Sequence, residues 1–303
     1  MPIYRKLIIG FIGFLLILAV VNFGLNFWID KKLPEIISDN NETQYSITYK
    51  NLDVSLWSGN IKASEINIVP KGALKDTINK AGIYGEIKSI EVKNFKIWNL
   101  LFNNKLKARS IIINKPIVIL YKKDQKVINR SKNIRSAVID PFQKIIMVSD
   151  IYLNDGVFKI LYVKNNKSIL SADNINVQLE GIAVTDQTLK NNIPFTYKKY
   201  SFYCDSIYYS PNRFYHFTIS QLKTLENKGL KLTKLALIPE YSRKQFVKNI
   251  SKEKDLHTVN ADSLRIKILN GDLEKTCCFL IVVLLFWTEC QLIYTGVKSL
   301  KMI

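Results

Sequence analysis

The chain has 303 residues, enough for one large domain or two ordinary ones, and 48% of them are hydrophobic. Only 12 are Gly and 8 are Pro, which excludes collagen-like and low-complexity sequence. Lys and Arg outnumber Asp and Glu by 44 to 25, while two His and four Cys exclude most metal centres and most His-based catalysis.

The first element is apolar. Residues 7–29 carry no charge, and at about 1.5 Å per residue a helix of this length spans roughly 34 Å, enough for a hydrocarbon core of about 30 Å. The run exceeds the about 7–15 residues of a signal-peptide core. Its exit, Asn26-Phe-Trp-Ile-Asp-Lys, offers no small-residue cleavage site, and Trp28 suits an interfacial anchor. Residues 1–29 are therefore expected to form an uncleaved transmembrane anchor. Arg5 and Lys6 favour an inside amino terminus, which puts the bulk of the chain across the membrane.

Residues 30–275 form the main segment, a β domain by their alternation. Tyr45 to Tyr49, Leu52 to Leu56, Ile66 to Ile68, Ile90 to Val92, Ile117 to Tyr121, Ile175 to Leu179 and Leu235 to Leu237 are rich in Ile, Val, Leu and Tyr. Such runs predict half-buried strands. Turns are expected at Trp57-Ser-Gly-Asn60, Gly82 to Gly85, Ser210-Pro-Asn212 and Asn227-Lys-Gly229. A hairpin is expected at Asn154-Asp-Gly156. Helix is expected only over Tyr241–Lys252, with a single turn at Trp98–Phe102.

An arm recurs with apolar anchors at Leu52, Phe95, Ile151, Ile207 and Leu264, and a second arm follows most of them. The fold expected is mainly β: an extended, curved antiparallel sheet of repeated strand pairs, with β-sandwich modules as the alternative. Within the arms, same-face pairs fall at Leu52, Val54 and Leu56; Ile66 and Ile68; Ile90 and Val92; Ile151 and Leu153; Ile175, Val177 and Leu179; and Leu235 and Leu237. Aligned arms would merge these into one apolar strip, a candidate groove for lipid chains.

An anchor followed by Leu52-Asp-Val-Ser-Leu, Ile90-Glu-Val-Lys-Asn-Phe-Lys-Ile-Trp-Asn-Leu-Leu, Leu106-Lys-Ala-Arg-Ser-Ile-Ile-Ile-Asn-Lys-Pro-Ile-Val-Ile-Leu and Asn129 resembles the start of AsmA-like envelope proteins. The resemblance covers residues 1–135 best and the later arms to about 270 more loosely. It implies attachment to the bacterial inner membrane, a long β-groove facing the periplasm, and a role in lipid traffic or outer-membrane homeostasis. The alternative is an envelope scaffold or outer-membrane assembly factor acting through protein contacts.

No phosphate loop or zinc spacing is present. His216 reads as a strand-face residue, and His257 beside Asp255 as an ordinary neighbour. Asp150, Asp205 and Asp262 recur at one place in the arms and read as turn or strand-edge residues. No enzyme, cofactor or metal is expected. Residues 30–275 hold a net charge of +16, with Lys scattered singly. That fits solvated faces or anionic lipid head groups, and a translocated domain would meet no nucleic acid.

The last segment, 276–303, holds Cys277, Cys278 and Cys290 and turns abruptly apolar from Cys277 to Trp287. It reads as a second membrane segment or as the end of a truncated, frame-shifted chain. The break in composition favours the second.

Overall fold

The computed structural model describes residues 45–55, 58–74, 81–96, 106–122, 146–184, 188, 195–225, 229–249 and 256–267, with 12, 20, 23, 24 and 27 near the amino terminus. Those five are helical, and Ile12, Val20, Phe23 and Phe27 have exposed side chains. The rest of the expected anchor over 7–29, the turn at Trp98–Phe102 and the tail 276–303 lie outside the described residues. No helix among the described residues is long and apolar enough to cross a membrane.

The alternating segments become eleven strands: β1 (Tyr45–Thr48), β2 (Asn51–Ser55), β3 (Asn60–Pro70), β4 (Gly82–Lys93), β5 (Leu106–Lys122), β6 (Ile146–Tyr162), β7 (Ser168–Glu180), β8 (Lys199–Tyr209), β9 (Tyr215–Leu225), β10 (Gly229–Pro239) and β11 (Val259–Lys267). A 3-10 turn (Lys71–Leu74) follows β3, and helix α1 (Arg243–Asn249) falls inside the expected Tyr241–Lys252. All the strands belong to one curved, unclosed sheet in the order β1-β3-β4-β5-β6-β7-β8-β9-β10-β11, with β2 also on β3. The strands do not divide between the two facing sheets of a sandwich.

Three expectations are corrected. The sheet is not wholly antiparallel: β5 and β6 run parallel, from Leu106 opposite Ile146 to Lys122 opposite Tyr162. A parallel neighbour requires the chain to return the length of the strand before β6 begins. Asn154-Asp-Gly156 is not a hairpin, because β6 runs straight through it. A type I′ turn needs two successive left-handed residues; here only Asp155 has positive φ, at 54°. Gly156 instead packs under Leu153, whose Cδ2 would lie 2.7 Å from an added Cβ. Gly82 to Gly85 is the start of β4 rather than a turn. The strands recur, but the arms do not keep one orientation. One strand separates Ile151 in β6 from Ile207 in β8, whereas two separate Ile207 from Leu264 in β11.

The sheet owes its shape to a regular fault. In each of β3 to β11 the apolar residues step by two, then once by three: Ala63 to Ile66, Ile87 to Ile90, Ile113 to Pro116, Leu153 to Gly156, Ala172 to Ile175, Cys204 to Ile207, Ile219 to Leu222, Leu232 to Leu235 and Ala261 to Leu264. The two residues skipped are polar every time, from Ser64 and Glu65 in β3 to Asp262 and Ser263 in β11. In six strands one of them is left-handed: Glu65, Lys115, Asp155, Asn174, Ser206 and Lys234, at φ 47–54°. A left-handed residue inside a strand reverses the sense of the alternation, so both skipped side chains turn to the polar face and the apolar face stays continuous.

The steps lie side by side. Ala63 is opposite Ile90, Ile90 opposite Ile113 and Ile113 opposite Leu153. Likewise Cys204, Leu222, Leu232 and Leu264 form one row. The register slips only between β6, β7 and β8. Along this line the polar face carries two side chains per strand and the apolar face none, so each strand bends toward its apolar side. A similar step recurs near one end, where Val92 packs with Phe95 and Tyr197 meets Tyr200 at 5.5 Å between ring centroids. Lines of bends crossing the strands fold the sheet into an open gutter. Its long axis runs across the strands, roughly 43 Å for nine steps of about 4.8 Å.

Candidate functional site

The described members of the apolar strip share one face. Leu52 and Val54 stand opposite Ala63 and Ile61. Ile66 and Ile68 stand opposite Ile87 and Gly85, and Ile61 and Ala63 opposite Val92 and Ile90. The row continues through Ile111 and Ile113 of β5 to Ile151 and Leu153 of β6. Leu179, Val177 and Ile175 of β7 stand opposite Ile151, Leu153 and Gly156. Leu235 and Leu237 meet Ile219 and Phe217. Leu56 lies outside the described residues.

Sequence reasoning missed the parts of this face on β5, β8, β9 and β11, where Leu264 and Ile266 pack against the core. The run Ile117 to Tyr121 is apolar on both faces, which hides the alternation: Val118 and Leu120 look inward, while Ile117 stands opposite Glu86 and is 39% exposed. On β8 and β9 the steps from Cys204 to Ile207 and from Ile219 to Leu222 break the period of two. The skipped polar pair was the signal that could have found them.

Burial along the face is uneven. Over β8 to β10 it is a closed core: Cys204 is 1% exposed, Ile219 2% and Leu232 3%, packed with Ile207, Leu222 and Leu230. A second cluster joins Tyr209, Phe217, Leu237 and Ile169. Over β5 to β7, Ile111, Ile113, Val118, Leu120, Ile151, Leu153, Ile175, Val177 and Leu179 are only half-buried, whereas Ala108 and Ile169, toward the strand ends, are buried. The same wall is therefore closed in one stretch and open in the other.

The polar face is cross-linked along the bend. Asn154 Nδ2 donates to Asn114 Oδ1 at 3.0 Å, and Asn114 Nδ2 to Ser89 Oγ at 3.1 Å. Farther along, Asn174 Nδ2 and the Tyr203 hydroxyl each donate to Asp205 at 2.8 Å, and Gln221 donates to the Tyr203 hydroxyl. The hydrogen bond from Asn174, then that from Tyr203, holds the Asp205 carboxyl below its usual range. A depressed carboxyl stabilises the fold above the unfolded pKa, and that contribution disappears as pH falls through the folded value. Tyr203→Phe is thus expected to lower stability near neutrality, with the gap to wild type narrowing below about pH 4 in denaturant titrations. An unchanging gap would exclude the carboxylate.

Asp150 and Asp205 sit inside central strands rather than at turns or edges. Asp262 is on β11, which ends the sheet path. His216 is on the polar face of β9, with Nδ1 2.8 Å from Glu240 Oε1. The His257 amide donates to the Tyr215 hydroxyl, and Asp255 lies outside the described residues. A depression of about 300 Å³ is lined by Tyr152, Leu153, Asn176, Val177, Phe202 and Tyr203 among others, and the Asn176 and Gln178 amides in it are bonded to neighbours. No group of three His, Cys, Asp or Glu among the described residues could hold a metal ion.

Burial, reinforced by the carboxylates of Asp205 and Asp173, pushes the Cys204 thiol up to about 12. With Cys277, Cys278 and Cys290 replaced by Ser, the native protein should not react with a maleimide at neutral pH and should react fully once unfolded. Rapid native labelling would contradict the closed core.

No protein-family model matches the chain, and no curated protein is similar to it in sequence.

Proposed function

We propose that this chain is an AsmA-like, membrane-anchored envelope protein whose gutter binds and conveys lipids. It is held in the bacterial inner membrane by residues 7–29, with the sheet in the periplasm. One observation carries the reading: a continuous apolar wall crosses the sheet and is only half-buried over β5 to β7. Apolar surface left in water is unfavourable by about 25 cal/mol per Å², so an open wall calls for an apolar occupant. Acyl chains suit a long, featureless trough, and their binding needs no catalytic group.

The test compares the native chain, extracted in mild detergent, with Leu153→Lys. Mass spectrometry counts the lipid retained per protein, and thermal melting checks the fold. The expected result is a folded variant that has lost most of its lipid. A native chain carrying no more lipid than the variant would sink the reading and leave the scaffold in its place.

A further inference from the structure

We infer that the gutter selects amphiphiles with an anionic head group, which it holds at a cationic rim on one end of β4 to β8; this rests on the lipid reading above. Six cations gather there, Lys93, Lys96, Lys107, Arg109, Lys198 and Lys199, and all are exposed. The register brings them together. Lys93 stands opposite Ser110, Ser110 opposite Asp150, Asp150 opposite Glu180 and Glu180 opposite Lys199. The Lys96 amide bonds the Lys107 carbonyl at 2.8 Å, which draws the end of β4 onto β5.

The rim keeps a net positive charge, because its carboxylates, Asp150 and Glu180, offset only two of the six cations. Both accept from neutral donors, Asp150 from the Gly181 amide and Glu180 from Tyr152 and Gln178. None of the six cations forms an ion pair among the described residues, whereas Lys50 pairs with Glu65 and Lys62 with Glu91. The excess of cations over carboxylates attracts an anionic group, and a zwitterion does not offset it as an anion does. The cations stand on the polar face, and the half-buried wall runs on the other face of the same end, through Ile111, Ile151 and Leu179. Lysine and arginine side chains at a sheet end are long enough to bring their charges round its lip, so a molecule held there by its anionic group can lay its chains on the apolar face. Charge and wall together specify a charged lipid rather than a free phosphate, which would use the rim alone.

The full chain is reconstituted in vesicles of equal phosphatidylglycerol and phosphatidylcholine with matched chains. A p-benzoylphenylalanine in place of Val177 or, separately, Leu153 captures whatever lies in the gutter, and mass spectrometry reads the head group of the adduct. Phosphatidylglycerol adducts should exceed phosphatidylcholine adducts at least fivefold, since one cation near a lipid surface contributes about a fivefold preference. Lys107→Gln with Lys199→Gln should bring the ratio close to one. Lys244→Gln with Lys248→Gln on α1, an equal change in net charge, should leave it alone. Equal adducts in the native rim would overturn head-group selection and leave the lipid reading standing. Loss of preference in the α1 pair as well would assign it to overall charge and overturn the rim. Absence of any lipid adduct from both positions would remove the lipid reading and this inference with it.

Discussion

Ile219→Asp is expected to abolish folding, while Val177→Asp leaves a folded protein. Both residues face the same apolar wall. Ile219 is 2% exposed and packs among Cys204, Ile207, Leu222 and Leu232. An aspartate there must either bury a charge or take up a proton, and it also loses the packing of the isoleucine. Removing a core side chain of this size by itself costs about 2–5 kcal/mol, a large part of the about 5–15 kcal/mol that holds an ordinary domain. Val177 is half-buried opposite Leu153, so a carboxylate at that position keeps water. Its expected loss is about 1 kcal/mol, in the range of ordinary single substitutions. Circular dichroism and denaturant melts decide the matter. Equal losses at both sites would mean that the wall is one closed core along its whole length, and the open stretch over β5 to β7 would have no special standing.

The second large effect is expected where the strands bend. Lys115, Ser206 and Lys234 are left-handed at φ 49°, 47° and 51°, and all three are exposed. Any L-residue bears about 1–2 kcal/mol in that conformation, lysine and serine included, and a β-branched side chain adds to that cost. The three lie on β5, β8 and β10, at least two strands apart. At about 4.8 Å per strand they are too distant to share contacts, so their effects add. The triple variant Lys115→Val, Ser206→Val, Lys234→Val should therefore lose about 1–3 kcal/mol in all, the sum of three increments of up to about 1 kcal/mol each. Gly at the same positions should stay close to wild type, because relief of the left-handed strain offsets the extra freedom of the unfolded chain. No core residue is touched, so lost packing cannot imitate the result. If the Val variant melts with wild type, the bends do not depend on backbone conformation.

These two results divide along what is local and what is not. Side-chain alternation belongs to the strand itself, with a period of two. The β class and the inward residues of β2, β3, β4, β6, β7 and β10 could therefore be read directly, from Leu52 and Val54 to Leu235 and Leu237. The helix at Arg243–Asn249 was also visible inside Tyr241–Lys252. The bend was written in the chain as well, as the polar pair between Cys204 and Ile207 or between Leu232 and Leu235. A polar pair interrupting an alternation, however, reads equally as a turn or as a bent strand.

Asn154-Asp-Gly156 shows why sequence alone could not choose. A hairpin and a bend differ there by the sign of φ at one residue, Gly156. The choice fell to the neighbours, since β5 on one side and β7 on the other pair with β6 both before and after the step. The parallel pairing of β5 with β6, the gathering of all eleven strands into one sheet, and the change from closed wall at Ile219 to open wall at Val177 were likewise decided by tertiary structure. Each depends on which strands meet across tens or hundreds of residues. The alternation along a single strand contains only its own two faces, and nothing in it says what will lie beside them.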